Sequence, residues 1–229
     1  MHLLGIETST RRLSAALWSD GVVLARSSEL PNGGSGLLLP WIRELLDEAG
    51  LAPRQLNGLA FGAGPGGFTG IRLACGMAQG LAWGLDLPLL PVSTLEALAL
   101  ASGHELVWTC LDARMNEVYS AAYRVESDTV IELMSPVCVA PDLVEAPPGG
   151  PMWGVGDGFK CYFDQLRSRG SGLLGVLPDA YPSAEAVVRI AAPRLAAGRT
   201  LTAGMAHPIY VRDKVALTTA ERMARGGSK

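Results

Sequence analysis

Lysine is nearly missing from this chain: Lys160, Lys214 and Lys229 are the only three in 229 residues. That scarcity excludes a phosphate-binding P-loop, which needs a lysine beside its glycines for the terminal phosphates and a Ser/Thr for magnesium. Cysteine is sparse too, and Cys75, Cys110, Cys138 and Cys161 form no C-x-x-C pair. Their spacing argues against a zinc site or a disulfide framework and suits a reducing cytosol. There is no excess of positive charge, since 19 Lys+Arg stand against 22 Asp+Glu for a net charge of −3. An independent nucleic-acid binder normally carries a basic excess or a basic face. The one mildly basic cluster is the tail, where Arg212, Lys214, Arg222, Arg225 and Lys229 are diluted by Asp213 and Glu221. It reads as a solvated terminus. Long apolar runs are absent as well: the longest begins at Leu73 and ends at Leu85, before Asp86. A bilayer span needs roughly 20 such residues. No signal peptide precedes Leu3-Leu4-Gly5-Ile6, so the expectation is a soluble, cytoplasmic protein with no membrane contact.

What the chain does have is apolar residues, 48% of the total, and 28 glycines. Leu3–Ile6 reads as a first strand, and Leu13–Trp18 and Val22–Ser27 flank an Asp20-Gly21 hairpin signal. A helix over 37–49 with Gly50 at its end, a buried strand at 56–61, a helix from about 70 to 84 and a strand at 87–92 follow. Ser93 with Glu96 forms a capping box for a helix through Ala101. Strands at 106–111, 117–125, 130–137 and 153–156 begin a second series, with helices at about 160–168 and 183–197, the last carrying Pro193 as a kink or break. The order β-β-β-α-β-α-β-α predicts an α/β protein of two related lobes, 1–102 and a smaller 103–229, each a mixed sheet flanked by helices.

The glycine-rich turn Gly62-Ala63-Gly64-Pro65-Gly66-Gly67 spells G-x-G-x-x-G. A dinucleotide site would also need an acid at the end of the next strand. That strand ends in Val92-Ser93-Thr94, and Asp86 precedes it. Packing is the remaining reason for the glycines. From Leu73 to Leu85 no residue is charged, and Ala74, Gly76, Ala78, Gly80, Ala82 and Gly84 alternate with larger ones. Such a helix must be covered on more than one side. The helix at 37–49 is similar, with Leu38, Trp41, Ile42 and Leu45 spread over more than one face. The two helices could pack on each other or on another chain, and the residues leave both open.

"LLGIETST", "LLLPWIRELL", "GAGPGGFTGIRLACGMAQGLAWGLDLPLLPVSTLEALA" and "LDARMNEVY" together resemble the TsaB family, the dimerisation subunit of the bacterial machinery that makes threonylcarbamoyladenosine in tRNA. "GVGDG" at 154–158 and "HPIYVRD" at 207–213 resemble later segments of that family. The resemblance implies the actin-like ATPase fold. It places vestigial nucleotide-site positions at Glu7, Thr8, Ser9, Asp112 and Asp157, with Gly64, Gly66 and Gly67 in a structural loop. Glu7 stands where aspartate is commoner, and Asp112-Ala113-Arg114 replaces an acid followed by glycine.

The related catalytic subunit, TsaD, carries H-x-x-x-H metal ligands on a helix, whereas His2, His104 and His207 lie about a hundred residues apart. No G-x-S-x-G elbow is present either. The implied role is a pseudo-enzyme with no catalytic residue, metal or cofactor of its own, ATP and metal belonging to its partners. Those partners would be a TsaD-like catalytic subunit and a TsaE-like ATPase, with a homodimer when the chain is alone and no strong direct tRNA binding. The expected contact is a helical bundle using Leu38, Trp41, Ile42, Leu45, Ile71, Ala74, Cys75, Ala78 and Leu81. Where many relatives carry a loop histidine, this chain has Gly33-Gly34-Ser35. The rival readings are a stand-alone ATP-dependent kinase or ATPase and a free tRNA-binding module.

Overall fold

A computed structural model describes residues 1–29, 34–169 and 172–212. Gly33 and the basic tail from Asp213 onward therefore lie outside the described residues. The first three strands, β1 (His2–Glu7), β2 (Arg12–Ser19) and β3 (Val22–Glu29), form an antiparallel meander. Asp20 and Gly21 take φ of 47° and 93° at its second turn, the left-handed pair that matches strand twist. After α1 (Ser35–Glu48), the strands β4 (Gly58–Gly64) and β5 (Leu89–Ser93) join in parallel, with α2 (Phe68–Leu85) between them. The resulting order is β3-β2-β1-β4-β5. α3 (Thr94–Ala101) starts at the expected capping box, in which Ser93 N–H donates to Glu96 Oε2 at 3.3 Å and Leu95 N–H donates to Ser93 Oγ.

The second sheet repeats the topology. β6 (Leu106–Arg114), β7 (Glu117–Glu126) and β8 (Thr129–Val139) form a meander, and β9 (Met152–Val155) and β10 (Leu173–Leu177) add in parallel. Its order, β10-β9-β6-β7-β8, is the first sheet's order read with the equivalent strands. The lobe is reduced where the first carries α1: between β8 and β9 there is only a 3-10 turn at Pro141–Leu143. The helix expected at 160–168 is two pieces, α4 (Gly158–Cys161) and α5 (Phe163–Arg169), separated at Tyr162 where φ is −134°. β10 carries no sequence expectation, because Gly175 interrupts its apolar pattern. That glycine lies against the Trp153 ring, leaving no room for a Cβ.

Each strand of the first sheet alternates its side chains between two layers. Leu4, Ile6, Leu59 and Phe61 pack with Leu38, Leu45, Ala74 and Ala78 of α1 and α2. Leu3, Ala16 and Ala60 pack with Val187, Val188 and Ala191 of α6 (Ala184–Ala196). The sequence order placed this last helix with the second lobe, yet its apolar face lies on the first sheet. The reason is Gly5, whose missing side chain is filled by Val188 Cγ1. Arg194 of α6 also pairs with Glu96 of α3 at 3.0 Å. Pro193 sits close to the end of α6 and the helix continues through it. The described helices include none long and apolar enough to cross a membrane.

Candidate docking face and inter-lobe cleft

The glycine-rich turn lies beneath the first hairpin. Gly67 N–H donates to Ser9 O at 2.7 Å. A Cβ on Gly66 would lie 2.7 Å from both Ser9 Cβ and Ser9 O, so two backbones meet where only glycine fits. Gly64 has φ of +113° and faces Ile209 O. The carboxylate of Glu7 fills the space beside Gly62. These glycines hold two turns and a C-terminal segment together, and the loop answers to packing.

A cleft of about 790 Å³ opens between the two sheets. The hairpin turn 8–11, the start of α2, residues 111–115, Asp157 and residues 209–212 line it. The structure therefore brings Thr8, Ser9, Asp112 and Asp157 to one place. Glu7 is the exception. It is fully buried, does not line the cleft, and accepts from Ser9 N–H at 2.6 Å while its Oε2 has no partner. As the last residue of β1, its side chain turns under the sheet toward Gly62 rather than outward, which corrects its expected place among phosphate-site groups.

The other cleft groups are largely committed to the chain's own atoms. Thr8 Oγ1 donates to Gly70 O at 2.6 Å. Asp157 Oδ1 accepts from Asp112 N–H at 2.9 Å, and Asp112 accepts from Arg114 N–H and from its guanidinium at 3.0 Å. Burial pushes the Asp157 carboxyl upward, opposed by the Asp112 N–H bond. Lys160 pairs with Asp179, Arg11 with Glu29, and Arg212 with Glu117. No three His, Cys, Asp or Glu among the described residues are grouped to hold a metal. The donor set fits a nucleotide with its metal poorly, and no chemical step is derived through one.

Burial raises the Glu7 carboxyl above its ordinary value, against the opposing bonds from Ser9 and Thr8. A raised folded-state value means that the folded chain retains a proton the unfolded chain has released. Its contribution to stability is complete below the ordinary value of 4.5 and is lost as pH rises through the folded-state value. Glu7→Gln should therefore gain thermal stability over the parent as pH is raised from about 4.5. Thermal melts across pH 4 to 7 check this, and parallel curves for the two proteins would show the carboxyl to be ionised at no cost.

α1 and α2 carry the second candidate feature. Of the nine side chains expected at a partner contact, Leu38, Ile42, Leu45, Ile71, Ala74, Cys75 and Ala78 are buried in the chain's own core, and Trp41 and Leu81 are half-buried. They face the chain's own sheet, so these side chains belong to the internal core and not to an open face. The side of α2 left open carries Gly76, Gly80 and Gly84 at four-residue spacing, and a Cβ on any of them would meet nothing within 4 Å. Each glycine costs a helix about 1 kcal/mol relative to alanine. Nothing among the described residues requires that cost. Trp83 is 76% exposed beside them, and Leu39 on α1 is 57% exposed.

Over residues 35–155 the chain matches the family model TsaD, tRNA N6-adenosine threonylcarbamoyltransferase. It is 36% identical over 229 residues to the tRNA threonylcarbamoyladenosine biosynthesis protein TsaB of Escherichia coli strain K12, covering 94% of this chain and 96% of that one. YeaZ from Pseudomonas aeruginosa superposes with a TM-score of 0.85 at 36% identity, covering 91% of this chain and 99% of that one. A second structure, of a protein with similarity to peptidase YeaZ from Pseudomonas aeruginosa, also gives 0.85, at 35% identity and 92% and 99% coverage.

Proposed function

This chain belongs to the TsaB family and has its actin-like α/β fold, and from that membership we propose a non-catalytic partner subunit in the making of tRNA threonylcarbamoyladenosine. Its task is to hold a TsaD-like transferase in an active arrangement while that subunit transfers threonylcarbamoyl to N6 of the adenosine next to the anticodon. A TsaE-like ATPase completes the assembly, tRNA is held by other subunits, and the place of action is the cytoplasm. The observation that carries the reading is the open side of α2. Three exposed helical glycines, whose Cβ positions meet nothing among the described residues, allow another helix backbone to approach closely, and Trp83 supplies an apolar anchor beside them. The pairing surface is thus Gly76, Gly80, Trp83 and Gly84 with the exposed leucines of α1. Alone, the chain pairs with a second copy through the same face.

The peptidase description of a relative invites a search for a nucleophile. Ser19 Oγ lies 2.9 Å from His2 Nδ1, but these two are directly opposed partners on β1 and β2, outside the cleft. That bond is a cross-strand contact. The acidic pair Asp112 and Asp157 in the cleft is the feature that favours a stand-alone ATPase, and it is tested directly. Purified chain alone should hydrolyse no ATP above a buffer control. Turnover that disappears in Asp157→Asn would establish the ATPase instead.

A further inference from the structure

Residues 203–212 form a strap that touches both lobes. Gln79 Nε2 of α2 donates to Ala203 O and Ala206 O, each at 3.0 Å. Ala203 and Ala206 are buried in the same core as Ala74, Cys75 and Ala78. Ile209 N–H then donates to Ala63 O at 2.7 Å, at the irregularity of the β4–β5 pairing between Gly62 and Gly64. Tyr210 OH accepts from Arg72 Nε at 3.0 Å. Three further bonds end the strap on the other lobe: Arg212 donates to Ala113 O at 2.9 Å, to Arg114 O at 3.3 Å and to Glu117 Oε2 at 2.6 Å.

The turn that Arg212 grips is held in an uncommon conformation. Arg114, Met115 and Asn116 have φ of 61°, 57° and 58°. Asparagine adopts that region readily, but arginine and methionine do not. Such a turn persists when its surroundings over-determine it. Arg212 bonds two of its carbonyls from one side, and Asp112 accepts its Arg114 N–H from the other. This turn and Asp112 form one wall of the cleft. The strap's other anchors, Gln79 and Arg72, lie on α2, the helix whose remaining side is the open glycine face.

We propose that the strap is a clamp through which occupancy of the α2 face sets the conformation of the 112–117 turn and so the width of the cleft. This rests on the docking role given to α2 above. A partner seated on α2 restrains Arg72 and Gln79, these restrain the strap, and Arg212 carries the restraint to the strained turn. Without Arg212 the turn relaxes independently of what α2 binds.

Backbone amide exchange read by mass spectrometry on the full chain, free and bound to its own organism's threonylcarbamoyltransferase, tests the clamp. In the free protein, Arg212→Met should speed exchange over 112–118 at least tenfold while the 40–48 segment of α1 stays unchanged. Glu117→Gln, a milder change, should give the same pattern at smaller size and serves if Arg212→Met does not fold. Binding of the transferase should slow exchange at 112–118 in the parent and have no effect there in Arg212→Met, although that variant still binds. Unaltered exchange at 112–118 in both free variants overturns the clamp. So does protection that persists in Arg212→Met, because the partner would then cover the turn directly. If the parent does not bind the transferase at all, the docking role itself fails and the clamp falls with it.

Discussion

Gly80→Arg should leave the chain folded and abolish its pairing. Gly80 is exposed, and a Cβ added there would meet nothing within 4 Å among the described residues. Arginine is nearly as good a helix former as alanine, so the free chain should gain about 1 kcal/mol, or roughly 2–4 °C in Tm. At a docked helix the same side chain is buried without a partner, which costs on the order of 3–5 kcal/mol of association, a loss of at least a hundredfold. Gly76→Ala combined with Gly80→Ala should act in the same sense at smaller size, stabilising the helix while weakening the pair. Opposite movement of folding stability and association is the signature. A sizing column and a thermal melt on the same samples read both. Normal pairing by Gly80→Arg would remove α2 from the interface. Ala78→Arg, which the sequence pattern alone would suggest, cannot separate these effects. Ala78 is fully buried against the chain's own sheet, and a charge there unfolds the first lobe.

The second large effect concerns Gly62 and Glu7. Gly62→Ala drives a methyl group into the Glu7 carboxylate, with both residues buried. Overpacking of this kind costs about 1–3 kcal/mol, and a 229-residue chain should lose roughly 2–4 °C in Tm for each kcal/mol. Glu7→Ala added to Gly62→Ala removes the collision and the buried carboxyl together. Most of the lost stability should return, with a coupling energy between the two sites of about 1–3 kcal/mol. If Glu7 served instead as a ligand in the cleft, truncating it would not relieve a methyl at Gly62, and the two losses would add. Thermal melts of the parent, both single variants and the double variant decide between these outcomes.

Much of this architecture is legible before any coordinates. Asp20-Gly21 announces the first hairpin, Ser93 with Glu96 announces α3, and the alternation of strands and helices announces two related lobes. What escapes is orientation. α2 is apolar or small all round, so its pattern shows that it is covered on several sides without showing which side meets its own sheet. Leu38, Ile71 and Ala78 look like a contact stripe because they are the most regularly spaced apolar positions, and regular spacing is what the internal core demands. The signal for the open side was present in Gly76, Gly80 and Gly84, since glycine inside a helix has a cost that its own chain must justify. Glu7 is misplaced for a related reason. Its position at the end of β1 suits the cleft, but the alternation of the strand turns its side chain toward Gly62. The path of α6 back to the first sheet depends on the absent side chain of Gly5, a contact between residues some 180 apart that no local pattern encodes.

The most direct test of the partner-subunit role is formation of threonylcarbamoyladenosine on tRNA by the purified transferase, the small ATPase and the enzyme that supplies the threonylcarbamoyl adenylate, with this chain added or omitted. A scaffold role predicts modification only when the chain is added. It should survive in Glu7→Gln and be lost in Gly80→Arg. Equal modification with and without the chain, or full activity from Gly80→Arg, would contradict that role.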